Sequence, residues 1–93
     1  PDMEAHAGDA ILGDTAKKGA AAKAEFTGLR SGDVIRTVSD LGVTETVCPP
    51  QGYAMTLETP HDGGKFVRYE VLRPLAKGMP AVRVLVSNPI YYE

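Results

Sequence analysis

Alternation of apolar and polar residues with a period of two dominates the chain from residue 20 onward. In the segment AAAKAEF, the residues Ala22, Ala24 and Phe26 fall on one face of an extended chain. Lys23 and Glu25 fall on the opposite face. Because successive side chains of a β-strand point to opposite sides of a sheet, this pattern predicts strands that are buried on one side.

The same alternation recurs in later segments, including YAMTLET, KFVRYEVLRP and AVRVLVS. In the last of these, Arg83 faces outward as a charge that discourages pairing at a sheet edge. The residues predicted to face the core in these segments are Met55, Leu57, Val67, Tyr69, Val71, Val82, Val84 and Val86.

Short segments rich in Gly, Pro and Asp separate the strand candidates, among them GLRSGD, DLG, CPPQG and PHDGG. Pro49 and Pro50 lack amide donors and therefore mark a loop or a sheet edge. Strands at such short intervals are typical of an antiparallel sandwich, since a parallel sheet would need crossover helices. We predict an all-β fold, an immunoglobulin-like antiparallel β-sandwich of about six to seven strands. It spans residues 10–93 and follows a flexible leader over residues 1–9.

The segment DTAKKGAAAKAEF also suits a helix, because it is rich in helix formers and begins with Asp14 as a possible N-cap. Such a helix would bury mostly alanines, with Phe26 as its one large apolar side chain. Gly19 would cost it about 0.5–1 kcal/mol. We therefore predict a loop through Gly19 and a strand that begins near Ala21.

Composition narrows the classes of partner. Twelve acidic and ten basic side chains give a formal net charge of −2. A nucleic-acid backbone is bound by concentrated positive charge, so nucleic acid is not an expected partner. No apolar run approaches the roughly 20 residues that cross a bilayer, so a membrane partner is not expected either.

The residue types that carry catalysis or bind metals are scattered along the chain. Cys48 has no basic neighbour in sequence and is interpreted as a small apolar side chain at a strand end. His6 in the leader and His61 in a turn lack the spacing of a metal site. We predict no catalytic, cofactor-binding or metal-binding residue and no cofactor, and we expect that the chain alone is not an enzyme. The carboxylates considered for acid–base chemistry are assigned to turns or outward strand faces: Asp33, Asp40, Asp62 and Glu70.

The stretch GLRSGDVI, residues 28–35, resembles a Gly-Leu-x-x-Gly-Asp-x-Ile segment of PDZ domains. A PDZ domain also has a carboxylate-binding loop before its peptide-receiving strand, and residues 1–25 supply no such loop. A PDZ fold further predicts a long helix between residues 41 and 60. One functional interpretation is a freestanding binding module, either PDZ-like for peptide ends or a carbohydrate-binding sandwich.

The segment KFVRYEVLRPLAKGMPAVRVLVSNPIYYE resembles the last hairpin of the C-terminal sandwich domain of PHP-type (polymerase and histidinol phosphatase-like) metal-dependent hydrolases. That hairpin has a Tyr/Phe-x-Arg-x-Glu-Val strand, a variable loop and a Thr/Ser-Asn-Pro-Ile-Tyr ending. ILGDT at residues 11–15 is similar to the Met-Gly-Asp-Thr segment that opens the same domain, and VIRTVSDLG is similar to one of its strand–turn units. The matching positions in the hairpin are Phe66, Arg68, Glu70, Val71, Ser87, Asn88, Pro89, Ile90 and Tyr91.

The resemblance implies a non-catalytic C-terminal accessory domain whose parent protein is a metal-dependent phosphohydrolase. Its partner would be the upstream catalytic barrel domain, which carries the metal-binding histidines and carboxylates of the family. The tail also has a physical interpretation: Asn88 precedes a proline and must be extended, which lets Ile90 return to the core. Tyrosines supply apolar area with a polar tip, so the predicted interface residues are Tyr53, Tyr91 and Tyr92.

Overall fold

A computed structural model describes residues 1–48, 54–61, 63–76 and 78–93 of the protein. These residues form ten β-strands and no helix, so they include no helical segment that could span a membrane. The strands are β1 Asp2–Ala7, β2 Ala10–Ile11, β3 Thr15–Ala16, β4 Ala22–Thr27, β5 Val34–Ser39, β6 Gly42–Val47, β7 Met55–Thr59, β8 Phe66–Arg73, β9 Val82–Val86 and β10 Ile90–Tyr92.

The strands form two sheets. A four-stranded sheet has the order β2-β1-β4-β7, and a six-stranded sheet has the order β3-β10-β8-β5-β6, with β9 also paired to β8. All pairs are antiparallel except the short pair of β3 and β10. The predicted all-β antiparallel sandwich is therefore confirmed. The described residues contain more strands than the six to seven predicted, because β2, β3 and β10 have only two or three residues each.

Residues 1–9 contain strand β1 rather than the expected flexible leader. β1 pairs with β4 along its whole length, from Asp2 opposite Thr27 to Ala7 opposite Ala22. Its alternation is carried by small alanines, of which Ala5 and Ala7 are buried, and small side chains give a weak sequence signal. β4 itself begins at Ala22, after a loop in which Gly19 has a φ of 87°, so the predicted strand is confirmed over the alternative helix.

The two sheets contribute side chains of different size to the core between them. Alanines dominate the inner face of the four-stranded sheet, and Phe26 is its one large side chain that is fully buried among the described residues. The ring of Phe26 meets that of Tyr69 edge to face, with centroids 5.8 Å apart and planes at 77°, an arrangement that aromatic pairs favour. The buried apolar residues of the two sheets are Ala5, Ala7, Ala10, Ala22, Ala24 and Phe26 on one side, and Ala16, Ile35, Val67, Tyr69, Val71 and Ile90 on the other.

Strand β9 contains a bulge that changes which of its residues face inward. The register with β8 shifts between Val71, which lies opposite Leu85, and Leu72, which lies opposite Arg83. Val84 is the extra residue, and both Val84 and Leu85 pack against the core. The predicted inward orientation is therefore wrong for Val86, which lies opposite outward-facing Glu70, because a bulge breaks strict alternation. Val82 lies opposite Arg73, on the face predicted for it, but it is not buried. Val82 is 39% exposed and Val86 is 56% exposed.

The segment Ser-Asn-Pro between β9 and β10 is held against the middle of β8. The Ser87 amide donates to the Tyr69 carbonyl oxygen (2.9 Å), and the Tyr69 amide donates to Ser87 Oγ (2.9 Å). The serine hydroxyl thus replaces a strand carbonyl where the chain kinks before Pro89. Beyond the kink, Ile90 pairs with Val67 and is fully buried, which confirms the predicted return to the core.

Candidate interaction surface

Glu70 lies on the outer face of the six-stranded sheet, yet it is only 3% exposed. Guanidinium groups from three strands cover its carboxylate. Arg83 NH1 lies 3.5 Å from Oε1, Arg36 NH1 lies 4.0 Å from Oε1, and Arg68 donates a hydrogen bond to Oε2. The prediction that Glu70 faces outward is right, but the sequence did not indicate its burial, because β5, β8 and β9 each supply one arginine.

The arginines determine the ionisation of Glu70. Burial alone would raise the pKa of Glu70, but the hydrogen bond from Arg68 and the charges of all three arginines hold the pKa below its ordinary value of 4.5. Arg36 also donates to Glu45 Oε2 through Nε (3.2 Å) and NH2 (3.0 Å). Three arginines and two glutamates leave this cluster with one positive charge, on a chain whose net charge is −2.

Exposed apolar side chains surround this charged cluster. Val86 lies directly opposite Glu70, and Tyr91 lies opposite Phe66 at the other end of β8. On β6, Val43 and Val47 lie to either side of Glu45. Their exposed fractions are 57% for Val43, 65% for Val47, 56% for Val86 and 48% for Tyr91. We call the whole surface the outer face, and its residues are Arg36, Val43, Glu45, Val47, Arg68, Glu70, Arg83, Val86 and Tyr91.

Most residues of the outer face were not predicted as interface residues. The available signal was the outward position of charged residues in three alternating segments, as in Arg68 and Glu70 of KFVRYEV. Alternation shows which side of a strand a residue occupies, but it does not show which residue of another strand lies beside it. The register that places Arg36 opposite both Glu45 and Glu70 belongs to the folded sheet.

The predicted interface tyrosines lie in different environments. Tyr91 is exposed on the outer face, whereas the Tyr92 hydroxyl donates to the carbonyl oxygen of Ala20 at 2.9 Å. The Tyr92 ring stacks on the ring of His61, with centroids 3.8 Å apart and planes at 11°. Tyr92 therefore closes one end of the sandwich, while Tyr91 is available to a partner. Tyr53, Asp62, Pro49 and Pro50 lie outside the described residues.

Hydrogen bonds occupy both ring nitrogens of His61. The Gly19 amide donates to Nδ1 at 2.6 Å, which leaves the ring proton on Nε2, where it is donated to the Gly64 carbonyl oxygen at 2.7 Å. The ring thus connects the loop at Gly19 with the segment at Gly64, and neither ring nitrogen has a lone pair left for a ligand. His6 lies on β1, and the described residues contain no group of three His, Cys, Asp or Glu residues placed to hold a metal ion.

Asp33 occupies a buried site at the end of the turn between β4 and β5. Its carboxylate accepts hydrogen bonds from Arg73 Nε (3.0 Å), Arg73 NH2 (2.8 Å) and the Arg30 amide (2.8 Å). Burial alone would raise the pKa of Asp33, but these hydrogen bonds and the two positive charges hold the pKa below its ordinary value of 3.8. The predicted turn is present, but Asp33 is fully buried. Its main partner lies 40 residues away in sequence, so no local pattern indicated the pair.

Two further residues that were considered for catalysis, Cys48 and Asp40, lie where they contribute to the fold. Cys48 follows β6 directly and belongs to the buried core, which agrees with its interpretation as a small apolar side chain. Asp40 lies in the turn between β5 and β6, where its Oδ1 accepts a hydrogen bond from the Lys65 amide at 2.8 Å.

Comparison of the chain with protein-family models, with curated proteins and with solved structures gives no match.

Proposed function

We propose that this chain is a non-catalytic accessory domain that binds an adjoining protein domain through its outer face. The partner that the carboxyl-terminal sequence suggests is the catalytic barrel of a PHP-type metal-dependent phosphohydrolase. The segments that carry this resemblance are neighbours in the sandwich, since Ile90 pairs with Val67 and Tyr91 pairs with Phe66. That adjacency agrees with the terminal hairpin that the resemblance implies.

The observation that carries the proposal is the combination of apolar and arginine side chains on the outer face. Val43, Val47, Val86 and Tyr91 expose about half or more of their surface on the same sheet face. Exposed apolar patches on soluble domains mark binding sites, and arginine and tyrosine are enriched at interfaces. The Glu70 carboxylate neutralises part of the arginine charge, which lowers the cost of covering these residues with a partner.

The strands that the described residues form do not support the PDZ-like alternative. Of residues 41–60, where a PDZ-like groove requires a helix, the described ones form β6 and β7. A carbohydrate-binding sandwich would need a row of exposed aromatic side chains on one sheet face. Among the described aromatic residues, Phe26 and Tyr69 are buried and Tyr92 is stacked on His61, so Phe66 and Tyr91 are the two on the outward side of the six-stranded sheet.

Binding between separately purified barrel and sandwich domains of the parent protein tests the proposal. We expect Val86→Asp to weaken the complex at least tenfold in isothermal titration calorimetry, because it places a charge in an apolar contact. Ile11→Asp is the matched control, since Ile11 is 60% exposed but lies on the four-stranded sheet. Equal affinities of the two variants would contradict the role of the outer face. A parent reading frame without a histidine- and aspartate-rich barrel would contradict the PHP-type assignment.

A further inference from the structure

Among the described residues, strand β6 pairs with β5 on one side only and forms an open edge of the six-stranded sheet. Its six residues are GVTETV, which include four β-branched side chains and neither proline nor lysine. The register with β5 is unbroken from Val47 opposite Val34 to Gly42 opposite Ser39. Natural edge strands are usually protected from pairing by prolines, lysines or bulges, and β6 has none of these features.

The hydrogen bonding of the hairpin shows which groups of β6 face the open edge. Cys48 directly follows β6, and its main-chain amide donates to the Asp33 carbonyl oxygen at 2.7 Å. The main-chain groups of Cys48 therefore face β5. Direction alternates along an antiparallel strand, so the amides and carbonyls of Val43, Glu45 and Val47 face away from β5. No other main-chain group among the described residues bonds to them. The edge therefore presents three unpaired donor and acceptor pairs in a row.

The other side of the same sheet is protected against pairing. The strand at that end of the sheet, β3, has only two residues, Thr15 and Ala16. β9 is interrupted by the bulge at Val84 and carries Arg83, whose side chain is 58% exposed. Both are devices by which sheets avoid edge-to-edge association. Among the described strands of the six-stranded sheet, β6 is therefore the one that forms an unprotected edge.

We propose that β6 binds an extended segment of a partner polypeptide as an added antiparallel strand. The added strand would place apolar side chains beside Val43 and Val47, which are 57% and 65% exposed. Between them it would place a lysine or arginine beside Glu45, whose side chain is 53% exposed. Main-chain hydrogen bonds would supply affinity, and these alternate side chains would supply specificity.

The charge of Glu45 selects against a second copy of the chain as the occupant. A twofold pairing of two β6 strands centred on Glu45 would place the two glutamates directly opposite each other. Like charges in that position destabilise a strand pair, whereas a cation there is favourable. A register shifted by two residues would avoid that repulsion, but it would set each glutamate against a valine, Val43 or Val47, without the cation that a partner strand can supply.

The inner side of the edge offers space for the alternate side chains of an added strand. A cleft of about 340 Å³ is lined by Gly42 and Thr44 of the edge strand and by Thr59, Pro60 and His61 of the facing segment. Residues of the added strand that point inward beside Thr44 would reach this cleft. Its mixed lining of hydroxyl and apolar groups suits a small side chain such as valine or threonine.

This inference deepens the proposed function and rests on it in one respect: both place a partner at the six-stranded sheet. The probe is the peptide acetyl-Thr-Val-Thr-Lys-Thr-Val-Thr-amide, titrated into the whole 93-residue chain. At saturation we expect hydrogen exchange to slow at least tenfold at the amides of Val43, Glu45 and Val47. The amides of Thr44 and Thr46 should not change, because they already face β5.

Two control peptides separate the hydrogen bonds from the charge. A peptide N-methylated at its two valines and its lysine cannot donate to β6, and we expect no protection from it. Replacing the peptide lysine with glutamate should weaken binding by about two- to fivefold or more, the scale of an exposed ion pair. In the Glu45→Gln variant, the two peptides should bind with nearly equal affinity.

Three results would overturn the inference. The first is an unchanged exchange pattern at millimolar peptide. The second is protection of Val43, Glu45 and Val47 that grows with protein concentration without peptide, which would identify a second copy as the occupant. The third is binding that perturbs Arg83 and Val86 but none of the β6 amides. That third result would exclude strand addition and leave the proposed docking of the outer face intact.

Discussion

Asp33 and Glu70 are the buried carboxylates among the described residues, and both are neutralised by arginine, but their cations differ in access to water. Asp33 pairs through both of its oxygens with Arg73, whose side chain is only 13% exposed. Glu70 pairs with three arginines whose side chains are 31%, 34% and 58% exposed. The first pair is enclosed, whereas the second lies under a layer of half-solvated side chains.

The two environments suit different roles. The enclosed pair joins the turn after β4 to the end of β8, because Arg73 also reaches the Gly28 carbonyl oxygen at 3.4 Å. The Asp33 side chain is fully buried, so its carboxylate has no access to water while the fold is intact. The arginines around Glu70 can turn toward water or toward a partner while the sheet stays intact. We therefore expect the Asp33 pair to contribute more to stability, whereas the Glu70 cluster belongs to the surface that we propose for binding.

The largest expected effect comes from Asp33→Asn. The substitution leaves the Arg73 guanidinium enclosed without a counter-charge, and breaking such a buried pair typically costs about 3 kcal/mol or more. Urea unfolding at neutral pH measures the change in the free energy of unfolding. Asp9→Asn, at an exposed carboxylate, is the control and should stay within about 0.5 kcal/mol of wild type. A loss below about 1 kcal/mol for Asp33→Asn would remove the distinction between the two sites.

Glu70→Gln should cost less, about 1–2 kcal/mol, because the three arginines can turn into solvent once the carboxylate is gone. The same urea experiment compares it with Asp33→Asn. Replacement by leucine sharpens the test. Glu70→Leu should resemble Glu70→Gln, since its cations remain hydrated, whereas Asp33→Leu should be at least as damaging as Asp33→Asn. Equal losses at the two positions would show that access to water does not separate them.

Acid should reduce the stability differences between wild type and the variants at Asp33 and Glu70. The pKa values of Asp33 and Glu70 are both depressed by folding, so each contributes stability that is present above the ordinary carboxyl pKa. That stability is lost as the pH falls through the lower folded pKa. We therefore expect the gap between wild type and Asp33→Asn to narrow steadily below about pH 4, since a protonated aspartate carries no charge. Thermal unfolding of both proteins between pH 2.5 and 7 measures this stability difference. A difference that grows in acid would contradict a lowered pKa of Asp33 in the folded state.

The smallest expected effect is that of Arg83→Ala. Arg83 is the most exposed of the three arginines, and Arg36 and Arg68 still neutralise Glu70 without it. The free energy of unfolding should therefore change by no more than about 0.5 kcal/mol. If the outer face is the docking surface, Arg83→Ala should reduce the free energy of partner binding by more than it changes the free energy of unfolding. A stability loss equal to that of Glu70→Gln would instead assign Arg83 to the fold.

Much of the sandwich was predictable because the signals are local. Alternation identified the buried sides of β4 and β8, and turn residues such as Gly32 and Gly42 marked where strands begin and end. Prediction failed where alternation was carried by small residues, as in β1, or was interrupted by a bulge, as at Val84. In both cases the missing information was the identity of the neighbouring strand.

The sequence by itself determined that this chain forms an antiparallel sandwich, and that Ile90 returns to the core after a kink. These features depend on side-chain periodicity and on backbone restrictions that operate within a few residues. Only the tertiary structure decided that Glu70 and Asp33 are buried and which arginines neutralise them. Their partners lie on other strands, up to 40 residues away along the chain. The sheet register that joins them is set by the packing of the whole sandwich, because a slip of one residue would turn every side chain to the opposite face.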